Sequence, residues 1–376
     1  MTMQTAEQRL RVLVLTNHFR WFGGSEIVAL QTALWFAARG DSVTLGANVA
    51  GPPIAAHAVG MRVTSDIPNI DLSAFDLIWC QHDMLGLLPI SHWNAAVTAS
   101  VPQVACVSLS PYEPYEHLNG PLAHALSADV YANSPETADV IAAANDGLIQ
   151  RQRVKIFFNA APEEFWVTSP STPPPPELSS ILIVSNHIPE ELDRCAALLE
   201  QRGVRVRRLG GQHEAALLTP VEMQAADAVV TIGKSVVYAI AQGRPVFIYD
   251  IHGGDGWLTR DNFLLNRNYN FSGRPVQRRL NAESLASEIL GGYARAAAEM
   301  ISLGEDHDLA IFRLDTHLAP LRDRALRRNM TWPRLSRRLR LASHLRNGSF
   351  RAHMEATRKK TEVMRQLRRQ IEDSPI

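Results

Sequence analysis

The same succession of signals occurs twice along this chain, once on each side of a run of four consecutive prolines. An apolar stretch of strand length ends in polar residues, a turn and a helix-patterned stretch follow, and a second apolar stretch closes the unit. In the first half the unit reads RVLVLTN, HFRWFGGSE, IVALQTALWFAARG and DSVTLGA, with Gly40 placed to stop the helix. In the second half it reads ILIVSN, PEELDRCAALLEQRG and VRVRRLG. Such a β–α–β unit is the start of a parallel sheet. Further strands are expected at FDLIWCQ, PQVACVSL, ADVYANS, DAVVTI and RPVFIYD. The expected fold is therefore α/β, with two Rossmann-like doubly wound domains facing a central cleft. The proline run lies in VTSPSTPPPPELSS, residues 167–180. Prolines cannot join a ladder or continue a helix and favour an extended chain, so this stretch reads as a linker. The expected organisation is an N-terminal domain over 1–166, the linker, a C-terminal domain over 181–320 and a helical tail over 321–376.

The chain of 376 residues is 46% hydrophobic and 20% charged, which fits a soluble globular protein of two ordinary domains. No apolar run approaches membrane-spanning length, and MTMQTAEQRL lacks the apolar core of a signal peptide, so a cytoplasmic location is expected. Cys80, Cys106 and Cys195 are odd in number and widely spaced, which fits buried thiols rather than a disulfide or metal framework. The formal net charge of zero conceals an asymmetry: residues 321–376 carry 16 Lys+Arg against 5 Asp+Glu. A basic helix of this kind is most simply a solvated one. It also suits peripheral contact with an anionic membrane face, whereas no aromatic-interleaved basic patch points to nucleic acid.

Two turns in the second half bear on ligand chemistry. Gly233, Lys234 and Ser235 follow the strand DAVVTI and open a helix running to about Gln242. Gly233 permits a sharp turn, and a helix start with a nearby ammonium and hydroxyl favours an anion. One strand later, HGGDG offers Gly253, Gly254, Asp255 and Gly256 as a flexible loop with exposed amides, beside His252. Either turn alone reads as a tight connection, and the upstream glycine of a P-loop is missing. Together they point to a phosphate or diphosphate. In the first half, Gly23, Gly24, Ser25 and Glu26 occupy the equivalent place. Glu26 is either an acceptor for sugar hydroxyls or a first-turn acid beside a Ser25 N-cap.

Taken in order, these segments resemble the GT-B glycosyltransferases, and the retaining family-4-like group among them. The likeness covers about residues 10–320. It is carried by the strand, Gly-Gly loop and helix ending in Arg-Gly; by FDLIWCQHD with His82; by VKIFFNAAPEEF with Asn159; and by YAIAQGRPVFIYD. Together with SNHIPEE and NYNFSGR, these stretches look like a divergent subfamily associated with bacterial polysaccharide gene clusters. The resemblance implies sugar transfer from a nucleotide-sugar donor on the second half to a glycan or lipid-linked acceptor against the first. It further implies retention at the anomeric carbon, no metal and no cofactor beyond the donor itself.

The sequence departs from that family at instructive positions. Tyr238 stands where the family has the glutamate that holds the donor ribose, and its partner glutamate would fall at Val230. The Arg and Lys that grip the donor diphosphate are replaced in VSNHIPEEL, where Asn186 and His187 stand. Ser108 takes the place of a histidine beside the donor sugar. Catalytic candidates are then His82, Ser108 and His187, with Lys234 neutralising phosphate. Tyr238 either meets the base or ribose or packs against the sheet. Tyr112, Glu113, Tyr115 and Glu116 form a loop expected near the acceptor, and Arg274 reads as an anion contact or a salt-bridged turn. The missing family residues leave a second expectation open, a catalytically silent module that binds a glycan, a nucleotide or a protein.

Overall fold

In the computed structural model the described residues are 9–88, 101–112, 116–117, 120–167, 174–211, 213–214, 216–327, 349, 352, 356 and 359. Glu113, Tyr115, residues 168–173 of the expected linker and nearly all of the basic tail lie outside them.

The first sheet contains β1 (Arg11–Phe19), β2 (Ser42–Ala50), β3 (Arg62–Thr64), β4 (Leu77–Gln81), β5 (Gln103–Ser108), β6 (Asp129–Ala132) and β7 (Val154–Ile156). Its order is β3-β2-β1-β4-β5-β6-β7, and the pairs are parallel, with Val12 beside both Val43 and Leu77. The second sheet contains β8 (Ser180–Val184), β9 (Arg205–Leu209), β10 (Ala228–Thr231), β11 (Val246–Asp250) and β12 (Gly253–Trp257), in the order β12-β11-β10-β8-β9. Only β12 runs antiparallel in that sheet. The helices are α1 (Gly24–Ala37), α2 (Gly120–Ala125), α3 (Pro135–Ala144), α4 (Glu164–Val167), α5 (Glu190–Gln201), α6 (Pro220–Gln224), α7 (Lys234–Ala241), α8 (Phe263–Asn268), α9 (Ala282–Asp306) and α10 (Leu314–Leu326).

Both sheets are covered on both faces, because successive strand residues point to opposite sides. Val12 and Val14 enter one apolar cluster, while Leu13 and Leu15 enter another. In the second sheet Leu182 and Val229 face one cluster, and Ile181, Ile183 and Val230 face the other. The expected alternation of two doubly wound sheets is thus realised, with short strands β3 and β7 added at the edges of the first.

Two chain segments cross between the sheets and exchange cores. Ala161 and Phe165, which follow the first sheet, are buried with Val237 and Tyr238 of the second. Returning from the second sheet, Leu314, Leu318 and Leu321 of α10 are buried with Val12, Trp79 and Phe157 of the first. Helix α10 spans residues 314–326, across the boundary expected at 320, and closes back over the first half. The crossings lie side by side: the Ala161 amide donates to Phe312 O at 2.7 Å, and the Leu314 amide donates to Ala161 O at 2.8 Å. Arg322 adds an ion pair to the buried Asp41 at 2.7 Å.

Candidate functional site

A doubly wound sheet opens a crevice at the carboxyl ends of its strands, where the winding reverses direction. In the first sheet that point lies between β1 and β4. Asn17 and His18 end β1, Asn48 sits near the end of β2, and His82 is the first residue after β4. Asn48 Nδ2 donates to Asn17 Oδ1 at 3.0 Å, and the Asn17 amide donates to His82 Nδ1 at 3.3 Å. With Nδ1 accepting, the ring proton belongs on Nε2, which faces Glu116 Oε1 at 3.6 Å. Burial, helped by the charge of His18, pushes His82 down to about 4, so the imidazole is neutral near pH 7. His82 adopts φ of 56°, a conformation uncommon outside glycine and concentrated at functional sites.

The Glu116 carboxylate accepts the amides of Leu109 and Ser110. Ser108 Oγ donates to the main-chain oxygen of Glu116 at 2.7 Å. Ser108 therefore anchors the loop that presents Glu116. At the start of α1 the N-cap is Gly23, not Ser25. Glu26 folds back over it: a Cβ on Gly23 would meet Glu26 Oε2 at 2.3 Å, while one on Gly24 would meet nothing within 4 Å. Ser25 Oγ donates to the same carboxylate at 3.0 Å, and burial raises the Glu26 pKa. The first-turn acid at a helix N-terminus is the geometry observed.

In the second sheet the reversal lies between β8 and β10. After β8, Ser185 Oγ donates to Asp250 Oδ1 at 3.1 Å and accepts the His187 amide at 3.0 Å, and the His187 side chain is exposed. After β10, Gly233 takes φ +63°, ψ −131°, which demands glycine, and caps α7. Ser235 is half-buried in the first turn. Lys234 turns away from solvent with only 8% of its surface exposed. Its ammonium donates to Asn159 O at 3.0 Å and Ala160 O at 2.7 Å, both in the first crossing. Burial pulls its pKa down to about 7, even though acceptors of this kind favour the charged form.

This geometry decides one open alternative of the sequence and revises one expectation. Tyr238 is 1% exposed and stacks on Phe165 at 4.1 Å and 7°, with the Lys234 ammonium 5.3 Å from its ring. Its packing leaves no face for a base, so the packed alternative is the one the structure shows. The stretch Gly253–Gly256 is not a flexible loop with exposed amides. It lies in β12, with Gly256 beside Ile248 and Gly253 beside Asp250. The Gly254 amide donates to Arg278 O at 3.0 Å, and Asp255 Oδ2 accepts Asn266 Nδ2 at 2.8 Å. Gly254 is there because backbone passes so close, a Cβ on it lying 1.7 Å from Ile248 O, while Gly253 and Gly256 take positive φ of 71° and 79°.

The two crevices meet. Asn159 Nδ2 donates to Asn270 Oδ1 at 2.9 Å, and Phe158, Asn159, Asn270 and Phe271 all have left-handed backbones. Arg274, beside the β11–β12 turn, pairs with Glu136 in the first turn of α3 and lies 5.2 Å from the Tyr112 ring. That confirms the salt-bridged alternative for Arg274 and sets the carboxyl ends of the two sheets face to face. His252 is held below its usual range by burial, then by the charges of Arg274 and Arg279. Among the described residues, no group of His, Cys, Asp and Glu is arranged to hold a metal ion. Asn17, His18, Asn48 and Asn270 were not singled out from the sequence. The available signal was modest, polar residues that terminate apolar strand runs.

No family model matches the chain, and neither does any curated protein. Solved structures similar to it include WaaG, a glycosyltransferase involved in lipopolysaccharide biosynthesis, at 12% identity and TM-score 0.44, covering 80% of this chain and 97% of that one. A glycosyltransferase from Rickettsia africae ESF-5 is 11% identical at TM-score 0.49, covering 85% of this chain and 100% of that one. LpCGTa in complex with UDP is 14% identical at TM-score 0.48, covering 84% of this chain and 99% of that one.

Proposed function

We propose that the protein is a glycosyltransferase, moving a sugar from a nucleotide-sugar donor to a glycan or lipid-linked acceptor, in the assembly of a bacterial surface polysaccharide. One observation supports this most directly: two winding-reversal crevices, one per sheet, have their strand ends turned toward each other across the Arg274–Glu136 pair. Such a pair of crevices suits a reaction that must bring two substrates together and shield them from water. The donor lies against the second crevice, near Gly233, Asn186, His187 and His252. The acceptor lies against the first, near Asn17, His82 and Glu116. Leaving-group charge is stabilised by main-chain amides and the cations around His252 and Arg274, without a metal and with retention at the anomeric carbon. The reaction takes place on the cytoplasmic side, with the basic tail touching an anionic membrane face.

The silent binding module keeps one specific observation in its favour. Lys234, the cation expected to neutralise phosphate, is engaged by the first crossing instead. The deciding experiment is a nucleotide and nucleotide-sugar panel scored by thermal shift and calorimetry on the full chain, with Asn186→Ala and His252→Ala as controls. Saturable binding that both substitutions weaken, followed by release of nucleoside diphosphate when an acceptor is supplied, supports transfer. Binding without turnover supports the silent module, and no binding across the panel ends the transferase reading and leaves a module for a glycan or a protein.

A further inference from the structure

Two residues of α7 and its C-cap Gln242, spaced one turn apart, all reach the segment by which the chain first crosses between the sheets. Lys234 donates through its ammonium to Asn159 O and Ala160 O at 3.0 and 2.7 Å. Tyr238 stacks flat on Phe165 at 4.1 Å. Gln242 Nε2 donates to Phe165 O at 2.5 Å, and the Gln242 side chain is fully buried. Positions i, i+4 and i+8 share one helix face, so this is a continuous stripe aimed at residues 159–165. Each end of the stripe bonds main-chain oxygens of the crossing. A fourth contact comes from the other side: the buried Tyr238 hydroxyl lies next to Gln31 of α1, outside strict hydrogen-bond geometry. The gripped segment is itself conformationally constrained, with Phe158 at φ 53° and Asn159 at φ 49°.

We infer that the Lys234–Tyr238–Gln242 stripe, along α7 and its C-cap, is a clasp that fixes the two halves of the molecule in one mutual orientation at their crossing. Two polypeptide crossings alone would permit hinge motion, since a few residues can absorb the backbone change. The clasp opposes it, because Ala160 is buried with the first half and opening would strip the Lys234 ammonium of its acceptors, while Tyr238 and Gln242 hold the rest of the crossing against the second half. The inference rests on contacts alone and does not depend on which ligand the crevices take.

Two readouts test it on the full chain. Val59 and Ile301 are exposed on opposite halves and the native cysteines are buried, so Val59→Cys with Ile301→Cys accepts a pair of nitroxide labels. The wild-type background is expected to give one narrow distance population, and Lys234→Met or Gln242→Leu a broadened one. Hydrogen exchange of peptides covering 158–166 is expected to rise roughly tenfold in each variant, with β1 and β10 unchanged. A broad wild-type distribution overturns the clasp whatever the variants do. Wild-type distances and exchange in a folded variant overturn it equally. Should Lys234→Met fail to fold, Gln242→Leu, at the far end of the stripe, carries the comparison.

Discussion

The two crevices occupy equivalent places in their sheets and use their polar residues in opposite ways. In the first, Asn17, Asn48, His82 and Glu116 bond to one another or to neighbouring loop amides within one half. In the second, the principal cation reaches across to the other half and is buried there. The glycines differ in the same sense. Gly24 stands beside open space, whereas Gly254 is enclosed by Ile248 and Tyr249 backbone. A sequence motif such as Gly-Lys-Ser thus defines what a turn can do, and the packing around it determines which of those uses is realised. The first crevice satisfies its polar residues within its own half, whereas the second lends its lysine to the junction between halves.

Three perturbations sharpen that contrast, beginning with the largest. Gly254→Ala forces a Cβ into the Ile248 carbonyl and is expected to cost on the order of 4 kcal/mol or to prevent folding, by the criterion of severe overpacking. Gly24→Ala, at the first position of α1, is expected to be neutral or to stabilise by about 0.5 kcal/mol. Urea unfolding of the two variants measures the difference, and equal effects would erase it.

The second perturbation is alkaline pH. Lys234 releases its proton near 7 in the folded protein and at the ordinary lysine value of 10.5 when unfolded, so the unfolded chain binds the extra proton between those limits. Stability is then expected to rise with pH across that window by at most about 1.4 kcal/mol per pH unit and to be level, for this group, below about 7. Denaturant midpoints for the wild type and Lys234→Met, taken at several pH values, should diverge in slope; parallel curves would show that the ammonium is not buried as described. The smallest effect concerns His82. Its folded pKa of about 4 lies below the ordinary 6.5, so the unfolded chain again binds more protons, and stability falls as pH drops from 6.5 to 4. His82→Gln should flatten that acid limb, and an unaltered limb would assign it to other groups.

Much of the architecture was legible in the residues. Strand-length apolar runs such as RVLVLTN and ILIVSN become β1 and β8 because both faces of each strand are buried, which needs a run rather than an alternation. Gly233 was readable as a turn because only glycine adopts its backbone readily. The Gly253–Gly256 stretch was misread because glycine signals two different needs, freedom to bend and room for close approach, and only neighbouring backbone tells them apart.

By itself, then, the sequence determined the winding of two α/β halves and the turns that open one helix in each, at Gly23 and Gly233. Those are consequences of local pattern: apolar period, turn chemistry and helix start signals act over a few neighbouring residues. The destinations of Lys234, Tyr238 and Gln242 were decided by tertiary structure alone. Their partners, Asn159, Ala160 and Phe165, lie 75, 74 and 77 residues upstream and come within reach only after both sheets form and the chain crosses between them. Burial at that junction, not composition, turns a helix-start lysine from an anion ligand into a bond between halves.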